Sequence, residues 1–130
     1  MNLSTWSPYF LSILRIMSGL LFVEHGSSKL LGFPPSPMPS HEFQLFSMGG
    51  FSGVLELIGG ALLVIGLFTR CAAFIVSGEM AVAYFMVHAS QGFFPMVNKG
   101  ELAVLYCFVF LYLAAAGGGP WSLDALRRRG

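Results

Sequence analysis

Nine ionisable side chains fall inside or beside long apolar stretches of this sequence, and they are the first candidates for chemistry. A charged group in a membrane interior costs a few kcal/mol, so such residues are functional candidates by default. Carboxylates beside histidine and lysine can pass protons. Cationic groups beside an apolar wall can hold a quinone carbonyl or a small anion. The nine residues are Arg15, Glu24, His25, Lys29, Glu56, Glu79, His88, Lys99 and Glu101.

The elements that must position these side chains are four apolar segments. The chain has 130 residues, of which 55% are hydrophobic and 10% charged, with a mean hydropathy of +0.74. Because a helix rises about 1.5 Å per residue, roughly 20 residues cross the hydrocarbon core. We therefore predict an all-α integral membrane four-helix bundle in a single domain, residues 1–130, with the first segment retained rather than cleaved as a signal peptide. The predicted helices are 8–31, 51–68, 71–88 and 99–116.

The arginines predict the orientation of the bundle. Arg70 lies in the turn between the second and third segments, and the run Arg127–Arg129 follows the fourth. Positively charged loops stay cytoplasmic, so both termini are expected inside a bacterial cytoplasmic (inner) membrane that the chain crosses several times. The outward loop 32–50 is rich in proline and leaves open either a short interfacial helix from Ser40 or an irregular cap.

Helical periodicity and depth suggest which polar residues meet. Glycines on the second segment share a stripe with Glu56, which should point into the bundle. Arg15 and Glu79 are expected at similar depth and could pair, and His25 should face inward. A purely structural role, in which buried charges only fix helix register, remains an alternative. The predicted cluster is Arg15, His25, Lys29, Glu56, Glu79 and Glu101, with Glu24, His88 and Lys99 in a second tier.

Several other chemistries are disfavoured. Histidines and methionines near the outer loops suit copper, and facing histidines can hold haem, but no ligand spacing supports either, so no metal site is predicted. Cys71 and Cys107 should lie at different depths, which argues against a disulfide relay. A net charge of +1 gives no reason to expect a nucleic-acid partner.

A faint internal echo links the first and third segments. Phe22–Ser27 resembles Phe85–Ser90, and each is followed by Gly-Phe and a proline. Either the chain consists of two related helical hairpins, or the likeness is chance similarity between apolar sequences.

The polar positions, in order along nearly the whole chain, resemble those of the DoxX family. The matching stretches are Leu14–Ile16 with Gly19, His25–Leu30, Gly53–Gly60, Gly66–Arg70, Glu79-Met80 with His88, Lys99–Leu102 and Gly117–Asp124. The resemblance implies a four-helix membrane bundle and a loose link to redox chemistry. Relatives include subunits associated with thiosulfate–quinone oxidoreduction and membrane partners of soluble redox enzymes. It implies no settled catalytic residue.

Three functional hypotheses follow. The first is a redox-associated subunit that binds a quinone or a similar lipophilic ligand in a polar pocket in the outer half of the bundle. The second is a non-catalytic accessory subunit, in a homo-oligomer or a larger membrane redox complex, motivated by the small residues on the second segment. The third is a small proton-coupled carrier, which four short helices make the least favoured. The sequence does not decide whether the protein is an enzyme.

Overall fold

The computed structural model describes residues 3–31, 48–88, 92–98 and 100–129. A 3₁₀ turn, Leu3–Trp6, leads into α1, and five further helices follow. Lys99, the loop 32–47 with His41, and the side chains of Lys29 and His88 lie outside the described part. The helices are α1 (Ser7–Leu31), α2 (Met48–Ile65), α3 (Thr69–Ala83, continued by a π-helical turn, Tyr84–His88), α4 (Pro95–Asn98), α5 (Glu101–Ala116) and α6 (Leu123–Arg129).

The all-α prediction is confirmed for the described residues. One helical stretch among them, Leu3–Ser28, is long and apolar enough by itself to cross a membrane. The apolar helical stretches Phe51–Ile65 and Glu101–Ala116 are shorter. The sequence did not predict α4 and α6, which are too short to show a hydropathy signal.

The four long helices pack as two hairpins. Helix α1 packs chiefly on α2, and α3 packs chiefly on α5, while contacts between the two pairs are sparser. Two hairpins are the arrangement that the internal sequence echo suggested, although a symmetry between them stays a prediction.

Glycines bring α1 and α2 into backbone contact. A Cβ atom on Gly26 would lie 2.5 Å from the amide nitrogen of Leu57 and 2.8 Å from the carbonyl oxygen of Gly53. Gly19 and Gly60 face each other in the same way two turns further along the helices. The glycine stripe of α2 is therefore used inside the chain, and it no longer favours an accessory subunit that packs through this stripe.

We expect Gly26→Ala to destabilise the protein by about 1–3 kcal/mol, because the added methyl group meets backbone that can move only if the helices separate. Gly78→Ala is the matched control, since its Cβ would meet nothing within 4 Å. The control should stabilise the protein by about 0.5–1 kcal/mol through helix propensity. Thermal unfolding in mild detergent measures both, and equal effects would contradict the proposed close approach of the helices.

Aromatic packing joins the two hairpins in the core. The ring of Phe22 on α1 meets the rings of Tyr106 and Phe110 on α5 edge-on, with centroids 5.5 and 4.9 Å apart. Tyr106 and Phe110 stack in parallel at 5.4 Å. Within the second hairpin, the hydroxyl of Ser77 donates to the carbonyl of Cys107 at 2.7 Å. Cys71 is exposed and Cys107 is partly buried, both as free thiols.

The π-helical turn changes the register at the C-terminal end of α3. In an uninterrupted α-helix, positions 79 and 88 point to opposite faces. An i→i+5 turn accommodates about one extra residue, so it shifts the register by roughly 100°. The backbone at position 88 is thus rotated toward the face that carries Glu79.

Candidate functional site

The polar residues form two groups at different levels along the helices. The inner end is the one where the start of α1, the α2–α3 turn and α6 meet, and the outer group lies toward the opposite end of the helices. Most of the inner group bonds to main-chain atoms, whereas the outer group brings carboxyl side chains together. The two groups therefore suggest different roles.

Arg15 is the centre of the inner group. Its side chain is fully buried, and Nε donates to the carbonyl of Leu63 at 2.8 Å. Nη1 donates to the carbonyl of Gly118, and Nη2 donates to that of Trp121 at 2.5 Å. The guanidinium thereby ties α1 to the end of α2 and to the segment between α5 and α6.

The predicted pairing of Arg15 with Glu79 is wrong. Arg15 bonds to α2 at Leu63, whereas Glu79 bonds to the same helix at Ser52. Eleven residues of helix separate these two levels, which is about 16 Å along the axis. The physical reason is that the short turn between α2 and α3 places Glu79 beside Glu56 rather than near the inner surface.

Arg70 and Asp124 complete the inner group. Nη1 of Arg70 donates to the carbonyl of Ala115, in the last turn of α5. The carboxylate of Asp124 accepts from the main-chain N–H groups of Phe68 and Thr69, both at 2.9 Å. Phe68 has a positive φ of 50°, and Asp124 supplies acceptors to the first donors of α3.

The environment of Asp124 predicts that its contribution to folding stability depends on pH. Partial burial raises the pKa of its carboxyl, but the Thr69 and Phe68 N–H groups and the nearby Arg127 together hold it below the ordinary value. A depressed folded-state pKa means that the stabilisation is complete above the unfolded-state pKa and is lost as pH falls through the folded-state pKa. Asp124→Asn should therefore lose about 1 kcal/mol at neutral pH. The difference from wild type should shrink in acid below about pH 3.9. Thermal unfolding of wild type and Asp124→Asn at neutral pH and below about pH 3.9 measures this difference in stability. A difference that does not change with pH would contradict the prediction.

The outer group centres on two carboxyl groups that share one hydroxyl. Glu56 on α2 is 2% exposed, and Glu79 on α3 is partly buried. The Oγ atom of Ser52 lies 2.5 Å from Oε1 of Glu79 and 3.2 Å from Oε1 of Glu56. The inward direction that the glycine stripe predicted for Glu56 agrees with this burial.

A serine hydroxyl has one hydrogen to donate and two lone pairs that can accept. It can satisfy only one carboxylate as a donor, so the second contact becomes a hydrogen bond when that carboxyl group is protonated and donates to Oγ. The arrangement thus brings the carboxyl groups of Glu56 and Glu79 to one polar point between α2 and α3.

Tyr106 and His25 lie on the neighbouring helices. The phenol of Tyr106, on α5, lies within electrostatic range of the carboxyl groups of Glu24 and Glu56. The ring of His25 meets that of Tyr106 edge-on at 5.9 Å, and its Nδ1 lies 2.9 Å from the carbonyl oxygen of Leu21. His25 is exposed, so its predicted inward orientation is wrong. Gly26 of α1 faces α2 and Phe22 faces α5, and the exposed His25 lies at the edge of this buried surface.

The other predicted residues lie apart. Glu24 is exposed on α1, and Glu101 is exposed in the first turn of α5. Glu101 borders an open groove of about 440 Å³ whose other lining residues are Pro95, Met96, Leu102 and Leu105. Among the described residues, no three His, Cys, Asp or Glu side chains are grouped so that they could hold a metal ion.

Sequence reasoning missed Ser52 and Tyr106. A signal for Ser52 exists, because it lies one helical turn before Glu56 on the same face of α2. Tyr106 carries the one hydroxyl in the aromatic cluster with Phe22 and Phe110, but nothing in its spacing distinguishes it from the other aromatic residues of the fourth segment.

A helical chain with exposed apolar sides and carboxyl groups buried between its helices is typical of a small integral membrane protein. The family model named DoxX matches residues 10–89, which is more than half of the chain. The chain therefore belongs to the DoxX family of membrane proteins.

Its relatives are themselves mostly without an assigned function. An uncharacterized protein of Haemophilus influenzae is 48% identical over 95% of this chain and 94% of its own length. An uncharacterized membrane protein of Mycobacterium tuberculosis is 26% identical over 85% of this chain and 77% of its own. A Bacillus subtilis protein named "Putative oxidoreductase CatD" is 28% identical over 86% of this chain and 82% of its own. No solved structure matches the chain at a significant level.

Proposed function

We propose that this DoxX protein is a redox-associated membrane subunit that binds a quinone, or a similar lipophilic ligand, beside the carboxyl pair of Glu56 and Glu79. The observation that carries the proposal is the single hydroxyl of Ser52 shared by these two groups. The chain crosses the cytoplasmic membrane four times with both termini inside, and the site lies in the outer half of the bundle.

Helix length and surface support the membrane topology. Helix α2 has 18 residues, which extend about 27 Å and approach the ~30 Å of a hydrocarbon core. Large apolar side chains are exposed on each of the long helices, among them Phe10, Ile58, Phe74 and Phe108. Contact between such side chains and lipid costs no free energy, whereas their contact with water does.

The carboxyl pair supports a ligand whose chemistry involves protons. A quinone carbonyl accepts a hydrogen bond, and reduction of a quinone to a quinol takes up two electrons and two protons. A protonated carboxyl group of the pair can donate to such a carbonyl and later replace its proton. The electrons would come from a redox partner in a larger membrane complex, in keeping with the oxidoreductase name of one relative.

The neighbouring side chains support a flat apolar ligand. The buried rings of Tyr106 and Phe110, stacked in parallel on α5, give this side of the site an aromatic surrounding. The hydroxyl of Tyr106 and Nε2 of His25 supply polar groups at its edge. Apolar walls with a few polar groups are the usual composition of small-molecule sites. The ligand would enter where α1 and α5 make few contacts.

A titration with a short-chain quinone tests the proposal. Purified protein in mild detergent should bind the quinone saturably, as measured by equilibrium dialysis. Glu56→Gln and His25→Ala should weaken binding by about tenfold or more, because each removes a hydrogen-bonding partner at the site. Glu24→Gln is the matched control, since it removes an exposed carboxyl group next to His25 and should bind as wild type. Equal affinity in all four proteins would overturn the proposal.

A further inference from the structure

A row of aromatic rings runs across the inner end of the molecule. The ring centroids of Trp6 and Tyr9 lie 6.0 Å apart, and those of Tyr9 and Trp121 lie 5.4 Å apart. All three side chains are exposed, Trp6 and Trp121 to 53%. We call these three residues, together with Phe68 and helix α6, the inner rim.

Helix α6 is fixed to the rest of the inner rim. The N–H group of Asp124 donates to the carbonyl of Gly66 at 2.9 Å, in addition to the two bonds that its carboxylate accepts. The N–H group of Trp121 donates to the hydroxyl of Ser12 at 3.1 Å. The backbone of α6, which carries Arg127, therefore keeps a defined position relative to the aromatic row.

The inner rim is basic as well as apolar. Arg15 and Arg70 donate to main-chain carbonyls, and the carboxylate of Asp124 is engaged by main-chain N–H groups. The guanidinium of Arg127 lies 5.0 Å from the centre of the exposed Phe68 ring, and Arg128 and Arg129 follow it in α6. Leu126, in the same turn, is 61% exposed. Apolar and cationic side chains thus lie next to each other at one level.

We propose that the inner rim binds the phosphate headgroups of anionic phospholipids. Tryptophan and tyrosine rings prefer the headgroup level of a bilayer, where their polar and apolar parts are both accommodated. A guanidinium held at that level, as that of Arg127 is, attracts anionic lipids, and the adjacent exposed Leu126 and Phe68 fit the boundary between headgroups and acyl chains. An acidic protein partner would match the charge but would leave these apolar residues uncovered. The inference does not depend on the quinone site.

Tryptophan fluorescence can report which lipids lie next to the inner rim, because both tryptophans of the chain belong to it. Trp6→Phe leaves Trp121, the residue next to α6, as the one fluorophore of its type. This protein is reconstituted in phosphatidylcholine vesicles that contain a fixed minor fraction of phosphatidylglycerol. Bromine atoms, which quench tryptophan, are placed either on the phosphatidylglycerol or on the same amount of phosphatidylcholine, so that total charge and composition stay equal.

Quenching by brominated phosphatidylglycerol should exceed quenching by brominated phosphatidylcholine severalfold at low salt, and the excess should fall as salt is added. The triple variant R127Q/R128Q/R129Q should lose the excess, because it removes the cationic groups that attract the anionic headgroups. The matched triple variant with lysine at the three positions should keep it. Equal quenching by the two lipids in the parent protein, or an excess that survives the glutamine variant, would overturn the proposal. Circular dichroism checks that each variant stays folded.

Discussion

Arg15→Met is expected to cost about 3–5 kcal/mol of stability, more than any other substitution predicted for this chain. The side chain is fully buried and donates to three carbonyls, those of Leu63, Gly118 and Trp121. Removing the guanidinium leaves these acceptors without their charged donor, and a buried acceptor without a partner costs about 1–3 kcal/mol. Because methionine fills part of the volume of the arginine side chain, most of the stability loss should come from the lost hydrogen bonds and less from a cavity.

Arg15→Lys serves as the control for charge. A lysine ammonium keeps the positive charge but lacks the planar fork that reaches several carbonyls at once. We expect it to recover only part of the loss. Unfolding by SDS in mixed micelles, followed by circular dichroism, gives the free energies. If Arg15→Met were as stable as wild type, or if its main effect were on quinone affinity, the structural role assigned to Arg15 would be wrong.

Ser52→Ala removes a single oxygen atom, and we expect it to have a large effect on ligand binding. Without the hydroxyl, Glu56 and Glu79 lose the group that they share. We expect quinone affinity to fall by about tenfold or more, the effect of one lost buried hydrogen bond. The same loss should appear in Glu79→Gln, because either change breaks the pair.

Ser77→Ala is the matched control for this substitution. Ser77 is a buried serine of α3, and it bonds to the carbonyl of Cys107 rather than to a carboxyl group. Its loss should reduce stability by about 1 kcal/mol and leave quinone affinity unchanged. Equal losses of affinity in Ser52→Ala and Ser77→Ala would mean that general loosening of the bundle, not the carboxyl pair, controls binding.

Much of the fold follows from the sequence because hydropathy and charge act locally. Each of the four long helices begins and ends within a few residues of its predicted bounds, and the glycine stripe identified the buried direction of Glu56. These features depend on the period of a single helix, which the sequence shows directly. That the helices form a membrane-spanning bundle remains part of the proposal.

The site was harder to predict because it depends on how helices are aligned with one another. Depth along separate helices suggested that Arg15 meets Glu79, but the turn at Gly66–Phe68 is so tight that α3 returns directly beside α2 and aligns Glu79 with Glu56. His25 illustrates the other difficulty, since a broad stripe does not say which of its residues lies at the edge. The partner of a polar side chain is thus decided by tertiary contacts that one helix does not encode.

The structure gives a physical role to one of the family-like segments, the one at the inner end. The Gly117–Asp124 segment supplies the carbonyls that accept from Arg15 and the carboxylate that accepts from the start of α3. Gly118 approaches the side chains of Thr69 and Ser122 so closely that a Cβ atom would lie within 3.1 Å of each. These residues close the inner end of the helices, which is a structural role, whereas the carboxyl pair in the outer half is the part suited to chemistry.

The most direct test is the ligand that the protein carries when it is purified from its own membranes in mild detergent. Extraction followed by mass spectrometry should find a quinone in stoichiometric amount in the wild type and in Glu24→Gln. Glu56→Gln and Ser52→Ala, purified in parallel and shown to be folded, should have lost it. A folded wild type without any quinone, or the same quinone content in the Glu56→Gln variant, would contradict the assignment of the Glu56–Glu79 pair as the binding site.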